Sequence, residues 1–159
     1  MRASESLFLA IRGLRYHVRR WPPPSRRPGA PKVFLLHGWM DVSASFQFVV
    51  DSMSDDVACV ALDWRGFGRS EWEPGNYWFP NYLADLDELL DFVSPARPAR
   101  LVGHSMGGNV ASLYAGVRPE RGRDRDRGVR RALHAAPQAA AQVGRATGSG
   151  PNLAHTAGA

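Results

Sequence analysis

A serine flanked by glycines is the residue best suited to chemistry in this chain. The segment Gly103-His104-Ser105-Met106-Gly107 has the pattern G-x-S-x-G, which is common by chance and gains meaning only from its context. An apolar run ends at Val102, and residues 109–117 continue with a helical pattern. The sequence therefore predicts a sharp strand-to-helix turn, made possible by Gly103 and Gly107, that exposes the Ser105 hydroxyl as a nucleophile.

Two backbone N–H groups are candidate partners for the negative charge that develops when a serine attacks a carbonyl. The Met106 N–H begins the helix, where the dipole and the free donors favour an anion. The segment His37-Gly38-Trp39 follows an apolar run, and Gly38 can adopt a backbone geometry that turns the Trp39 N–H towards the same place. We expect His37 to be structural.

A glycine-rich turn, Asp63-Trp64-Arg65-Gly66-Phe67-Gly68-Arg69-Ser70, lies between these two motifs. Asp63 and Arg65 are interpreted as residues that shape the turn, with direct substrate contact as the less favoured alternative. The turn precedes Ser105 by about 40 residues, with one intervening helix.

The elements that must position these residues alternate between strand and helix. Residues 7–11 and 14–18 predict a β-hairpin with its turn at Arg12-Gly13, and the Pro-rich stretch 22–31 predicts an exposed connection. Apolar runs predict buried strands, and the 3.6-residue period predicts helices. The predicted strands are 32–36, 57–62 and 100–102, and the predicted helices are 43–53, about 80–93 and 106–117. Ser43 or Ser45 is the expected N-cap of the first helix. The second helix is expected to face the core with Leu83, Leu86, Leu89, Leu90 and Val93 and to carry its acidic residues on the opposite side.

This alternation predicts an α/β fold with a mostly parallel, doubly wound sheet preceded by a hairpin. With the three ordered motifs H-G-W, D-x-R-G-x-G-x-S and G-H-S-M-G-G, residues 5–120 resemble the esterase-like branch of the α/β-hydrolase family. The resemblance implies Ser105 as nucleophile, Trp39 and Met106 as oxyanion donors, and transfer of an acyl group to water. The ligand expected is a small ester or related acyl compound, with no cofactor and no metal.

The resemblance also implies an acid and a histidine base after Ser105, where this chain offers little. The later candidates are Asp124, Asp126, His134 and His155, and we expect none of them to complete a triad. His17 in the hairpin and His104 on the turn are also poor candidates for the base. The predicted enzyme is therefore impaired, and the alternative is a non-catalytic remnant or a half-domain that needs a partner chain.

Composition changes abruptly near residue 120. Residues 121–159 contain seven Arg, two Asp and no aromatic residue, whereas residues 1–120 have 13 Lys or Arg and 13 Asp or Glu. We expect a partial hydrolase domain over 1–120 and a disordered, low-complexity tail that adds nothing to the sheet, leaving the 100–102 strand at or near an edge. A shifted reading frame in a GC-rich gene and a genuine extension are both open explanations of the tail.

Charge, cysteine content and hydropathy limit the remaining classes of function and cellular location. Because the net charge of +5 comes from the tail and is not interleaved with aromatics, we expect no nucleic-acid binding. Cys59, the single cysteine, lies among small apolar residues and is expected to be buried. We expect a cytoplasmic protein with no membrane association, because no apolar stretch approaches 20 residues. The oligomeric state is open.

Overall fold

The computed structural model describes residues 1–24, 32–95, 98–121 and 133–135, and its centre is a six-stranded mixed sheet. The strand order is β1-β2-β4-β3-β5-β6. The first two strands are antiparallel to their neighbours, and the other four are parallel to one another. The strands are β1 (Glu5–Ile11), β2 (Leu14–Trp21), β3 (Lys32–Leu36), β4 (Ala58–Leu62), β5 (Arg100–His104) and β6 (Leu133–Ala135). The predicted fold class is confirmed.

The predicted hairpin is formed by β1 and β2. Arg12 and Gly13 make its two-residue turn with φ of 48° and 82°, the positive values that a type I′ turn requires. β2 extends to Trp21, three residues beyond the predicted end, because its second half also pairs with β4, with Trp21 opposite Cys59. Long-range pairing thus lengthens the strand.

The parallel strands divide the core between the two faces of the sheet. In β3, Phe34 and Leu36 pack on one side and Leu35 on the other, as the two-residue period of a strand requires. Helices α2 (Phe79–Val93) and α3 (Met106–Val117) cover the first side. The short helix α1 (Gln47–Asp51) covers the second, where Val50 joins the same cluster as Leu35. Cys59 is free and buried, as predicted.

The helix predicted over residues 43–53 is shorter and less regular than expected. It consists of one 3₁₀ turn, Ser43–Phe46, followed by α1. Neither serine caps it, because Val42 occupies the N-cap position without a side-chain hydrogen bond. The Ser43 N–H instead donates to Asp63 at 2.6 Å, so a long-range contact replaces the local cap.

Helix α2 matches its predicted position but departs from its predicted polarity. Leu86, Leu89 and Leu90 are buried, as expected. Asp85 is also completely buried, which contradicts the placement of the acidic residues opposite the apolar stripe. The reason is a buried arginine, Arg65, which donates from Nε and Nη2 to the two Asp85 carboxylate oxygens at 2.6 and 2.7 Å.

Part of the tail joins the sheet. β6 pairs in parallel with β5, with Leu133 opposite Val102 and His134 opposite Gly103. The expectation that the tail adds nothing to the sheet is therefore wrong at residues 133–135, and β5 is not an edge strand. β5 offers free backbone donors and acceptors on the side away from β3, which even a short strand can pair. The expectation of disorder for 122–132 and 136–159 lies outside the described residues.

Candidate active site

Ser105 lies at the junction of β5 and α3, where the backbone makes an unusual turn. Its φ and ψ are 50° and −116°, a region that non-glycine residues rarely adopt and that is retained where surrounding structure imposes it. The Asn109 N–H donates to the Ser105 carbonyl at 3.1 Å, which fixes the first turn of α3. The residue is exposed. The structure thus presents the Ser105 side chain at the carboxyl end of the parallel sheet, where α/β proteins bind ligands.

Two glycines let the turn pack this closely. A Cβ on Gly107 would lie 2.5 Å from the Leu36 carbonyl carbon and 2.7 Å from the His37 carbonyl oxygen. A Cβ on Gly103 would overlap the backbone of Gly107. The two glycines therefore allow α3 to lie directly against β3 and β5.

The loop after β3 lies against the same turn. A Cβ on Gly38 would come within 3.3 Å of the Ser105 Cβ and 3.0 Å of His104 Nδ1. Trp39 follows Gly38, and Met106 is the first residue of α3. The segments that carry the two proposed oxyanion donors are therefore adjacent, and their role as donors stays a prediction.

His37 joins the loop after β3 to the loop after β4. Its Nδ1–H donates to the Gly38 carbonyl at 2.7 Å, and its Nε2 accepts from the Trp64 N–H at 2.9 Å. The Trp64 indole N–H returns a hydrogen bond to the His37 carbonyl at 3.1 Å. Burial lowers the pKa of His37, so its imidazole is neutral near pH 7. These bonds connect the two loops, and the structural role expected for His37 stays a prediction.

An aromatic pair covers part of the surface near the turn. The Trp39 ring is 55% exposed and packs edge-to-face on Phe67 with centroids 4.9 Å apart. Phe67 also packs edge-on against His37 at 5.8 Å. The sequence predicted a role only for the Trp39 N–H, and no local pattern showed its pairing with Phe67, because the two residues lie on different loops. The pair provides an apolar surface beside the site.

No complete triad is visible in the described part of the chain. His104 is exposed on the turn, and no hydrogen bond joins it to Ser105 within the described ranges. β6 brings the His134 backbone opposite Gly103, two residues before Ser105. Asp124, Asp126 and His155 lie outside the described residues. An acid and a base for Ser105 are thus still to be assigned.

Two buried polar clusters elsewhere in the fold were missed or only partly predicted. In one, Asp85 binds Arg65 and accepts a hydrogen bond from the Tyr16 hydroxyl. The position of Asp85, three residues after buried Tyr82 and four before buried Leu89, is the sequence signal that could have shown its burial. In the other, Asp63 pairs with His17 at 2.8 Å, and no local pattern connects these two residues.

The described ranges contain neither a cluster of metal-binding side chains nor a membrane-spanning helix. Across residues 1–24, 32–95, 98–121 and 133–135, no group of three or more His, Cys, Asp or Glu side chains is placed to hold a metal ion. No helix there is long and apolar enough to cross a bilayer.

Comparison with known proteins decides the family. The model of the alpha/beta hydrolase fold family matches residues 31–122, which is more than half of the chain. The chain belongs to the α/β-hydrolase fold family. The matched range contains the strand before Gly38, the Asp63 turn and the Ser105 turn.

Relatives of this α/β-hydrolase include differently named hydrolases. A serine hydrolase-like protein of Danio rerio is 38% identical over 102 residues, which are 63% of this chain and 30% of that protein. Epoxide hydrolase 4 of Mus musculus is 32% identical over 111 residues, which are 68% of this chain and 29% of that protein. The chain thus spans about 30% of the length of these curated relatives.

Solved structures share the same fold. A thioesterase domain from the curacin biosynthetic pathway is 31% identical, with a TM-score of 0.67 over 75% of this chain and 42% of that one. Epoxide hydrolase A from Mycobacterium thermoresistibile is 26% identical, with a TM-score of 0.66 over 75% of this chain and 37% of that one. The neighbours differ in the reaction that their names state, so fold alone does not choose the substrate.

Proposed function

We propose that Ser105 is the nucleophile of a serine hydrolase site that accepts acyl groups from esters or related compounds. The observation that carries this proposal is the strained backbone of Ser105 at the strand-to-helix junction, held by the close contact between Gly107 and β3. Strain of this kind costs about 1–3 kcal/mol and is found most often at functional sites, where the surrounding structure imposes it.

The identity of the residue at the turn favours acyl over alkyl chemistry. A carboxylate that attacks an epoxide or haloalkane forms an ester, which water can then hydrolyse at its carbonyl carbon. A serine that attacks the same carbon would form an ether, which has no carbonyl carbon for water to attack. Although epoxide hydrolases are among the relatives, Ser105 supports a carbonyl substrate.

The proposed reaction begins when the Ser105 oxygen attacks the substrate carbonyl carbon. Negative charge then develops on the carbonyl oxygen at the start of α3, where the Met106 N–H and the Trp39 N–H are the proposed donors. The aromatic pair Trp39 and Phe67 provides an apolar surface for the acyl chain. The proton of Ser105 must pass to a base, because a neutral hydroxyl is a weak nucleophile.

No base is bonded to Ser105 within the described residues, and this sets the expected activity. Loss of the histidine of a Ser-His-Asp triad costs about a millionfold in turnover, while an oxyanion hole can retain about a thousandfold over water. We therefore expect this chain alone to acylate slowly and to turn over little. The alternative, a non-catalytic half-domain, predicts no acylation of Ser105 at all.

The test measures acylation of the purified chain by p-nitrophenyl butyrate, with the adduct located by peptide mass spectrometry. Imidazole is added as an external base, since a site that lacks only its base should be rescued by one. We expect a Ser105 adduct whose rate rises with imidazole and which is lost in Ser105→Ala. Ser112→Ala is the matched control, because Ser112 is exposed on the same helix and its loss should change nothing.

Two results would overturn the proposal. One is a folded chain in which Ser105 acquires no adduct even with imidazole. The other is ester hydrolysis of equal rate in the wild type and Ser105→Ala. If turnover without imidazole proves high, His134→Asn tests whether β6 supplies the base.

A further inference from the structure

The exposed face of the hairpin carries a second serine whose hydroxyl is bonded to a histidine. Ser6 on β1 is exposed, and its Oγ lies 2.9 Å from His17 Nε2. The other ring nitrogen of His17, Nδ1, lies 2.8 Å from Asp63 Oδ2. A hydroxyl, an imidazole and a carboxylate thus form a continuous chain, on a different part of the sheet from the Ser105 turn.

Hydrogen bonding determines which atoms carry the protons between Ser6, His17 and Asp63. Burial alone would raise the pKa of Asp63, but hydrogen bonds from Ser43, the Arg69 N–H and His17 outweigh it and lower that pKa. Asp63 is therefore ionised at neutral pH and accepts the proton on His17 Nδ1. With that proton on Nδ1, the lone pair on Nε2 accepts from the Ser6 hydroxyl, which is the tautomer that a general base needs.

The pair behind Ser6 is shielded from water, whereas Ser6 itself is accessible. The side chains of His17 and Asp63 are 1% and 3% exposed. The Ser70 hydroxyl accepts from the His17 N–H at 2.9 Å and donates to the Asp63 carbonyl at 2.6 Å. These bonds hold the backbones of both residues, so the imidazole is held in one orientation beneath Ser6.

One arginine side chain, that of Arg69, lies beside the exposed hydroxyl. Arg69 Nη1 lies 3.5 Å from Ser6 Oγ, and the guanidiniums of Arg69 and Arg15 lie 5.0 and 4.8 Å from the centroid of the Phe8 ring. Arg15 also has Glu71 at 3.6 Å. Within the described ranges Arg69 has no carboxylate partner, so it can bind an anionic group of a molecule that approaches Ser6.

We propose that Ser6, His17 and Asp63 form a second nucleophilic site. It accepts acyl groups from activated esters whose leaving group carries an anionic substituent. The Ser6 oxygen attacks the ester carbonyl carbon while its proton passes to His17 Nε2. The bond between that carbon and the leaving oxygen then breaks, and the leaving group departs as an anion near Arg69. Nε2 then gives its proton to solvent and can act as a base again. Water next attacks the acyl-serine and gives a proton to Nε2, which passes it to the Ser6 oxygen as the bond between that oxygen and the acyl carbon breaks. Ser6 is thereby restored and a carboxylic acid is released.

The experiment uses the full chain carrying Ser105→Ala, so that its outcome is independent of the Ser105 site. Two acetyl donors are compared: 2-nitrophenyl acetate, which is neutral, and 4-acetoxy-3-nitrobenzoate, which carries a carboxylate on the leaving group. Peptide mass spectrometry locates the acetyl group over time. Ser4 is the internal reference, because its hydroxyl accepts a hydrogen bond from Arg19 at 2.8 Å and no histidine is bonded to it in the described residues.

We expect Ser6 to be acetylated at least about 100-fold faster than Ser4, the lower end of what a positioned general base contributes. Ser6→Ala should abolish this rapid phase, and the matched Ser4→Ala should leave it unchanged. Arg69→Gln retains the backbone bond to Asp63 and should lower the preference for the anionic donor by about fivefold, as expected for an exposed charge pair.

Two outcomes would refute the proposal. Equal acetylation rates at Ser6 and Ser4 would show that His17 does not activate the hydroxyl. Equal rates of Ser6 acetylation with the two donors in the Arg69-containing protein would refute the anionic substrate class.

Discussion

Replacement of Gly107 by alanine tests whether contact between α3 and β3 holds the Ser105 turn. The added Cβ would lie 2.5 Å from the Leu36 carbonyl carbon and 2.7 Å from the His37 carbonyl oxygen, whereas ordinary contact distances are 3.4–4 Å. Leu36 is the last residue of β3 and His37 follows it. Both contacts are with backbone atoms, so no side-chain rotation relieves the overlap. The helix or the strand must therefore move by about an ångström.

The energetic cost follows from this displacement. Overpacking of a well-packed core usually costs about 1–3 kcal/mol and occasionally more, and a clash with two backbone groups belongs at the upper end. We expect Gly107→Ala to lower the free energy of unfolding by about 3 kcal/mol or more. Since small domains are stable by only about 5–15 kcal/mol, the midpoint of thermal unfolding should fall by about 10 °C.

The matched control is the same substitution on the same helix. A Cβ on Gly116 would have no atom within 4 Å, and alanine favours the helix over glycine by up to about 1 kcal/mol. Urea denaturation followed by circular dichroism should show Gly116→Ala at or above wild-type stability and Gly107→Ala well below it. Equal stability of the two variants would refute the argument that close approach of α3 to β3 requires glycine.

Three further predictions concern buried polar groups. Asp85→Asn leaves buried Arg65 without its buried counter-charge, since its other carboxylate partner, Glu73, is 42% exposed, and should cost about 3–5 kcal/mol in urea denaturation; a loss under 1 kcal/mol would contradict it. Because burial lowers the pKa of His37, the unfolded state binds a proton at a higher pH than the folded state does. The free energy of unfolding should therefore fall as pH drops below about 6.5. His37→Gln, which can still accept from Trp64, should flatten that fall between pH 6.5 and 5.5, and an unchanged slope would count against this cause. Burial raises the pKa of the Cys59 thiol, so Ellman's reagent should react with it only after unfolding, and rapid reaction of the native protein would refute this.

Local sequence patterns were enough to predict most of the elements and the position of Ser105. The hairpin turn at Arg12-Gly13, the buried strand at 32–36 and helix α3 all follow from the spacing of apolar residues and glycines within about ten positions. The Ser105 turn is equally local, because its strand, its glycines and its helix are contiguous in the chain. The family match over residues 31–122 includes this turn.

Local sequence patterns did not predict the contacts between residues that are distant in the chain. β2 is longer than predicted because it pairs with β4, and the start of the 43–53 segment is shaped by a bond from Ser43 to Asp63. The pairing of β6 with β5 joins residues about 30 apart. A periodic pattern shows which face of an element is apolar, but it does not show which element pairs with it.

The sequence by itself determined the α/β alternation and the strand-to-helix turn at Ser105, because backbone propensity and apolar spacing act over a few neighbouring residues. Only the tertiary structure decided that Asp85 is buried against Arg65 and that Ser6, His17 and Asp63 form one hydrogen-bonded chain. A charged side chain is buried when a distant partner offsets its desolvation, and that partner is chosen by the packing of the whole fold.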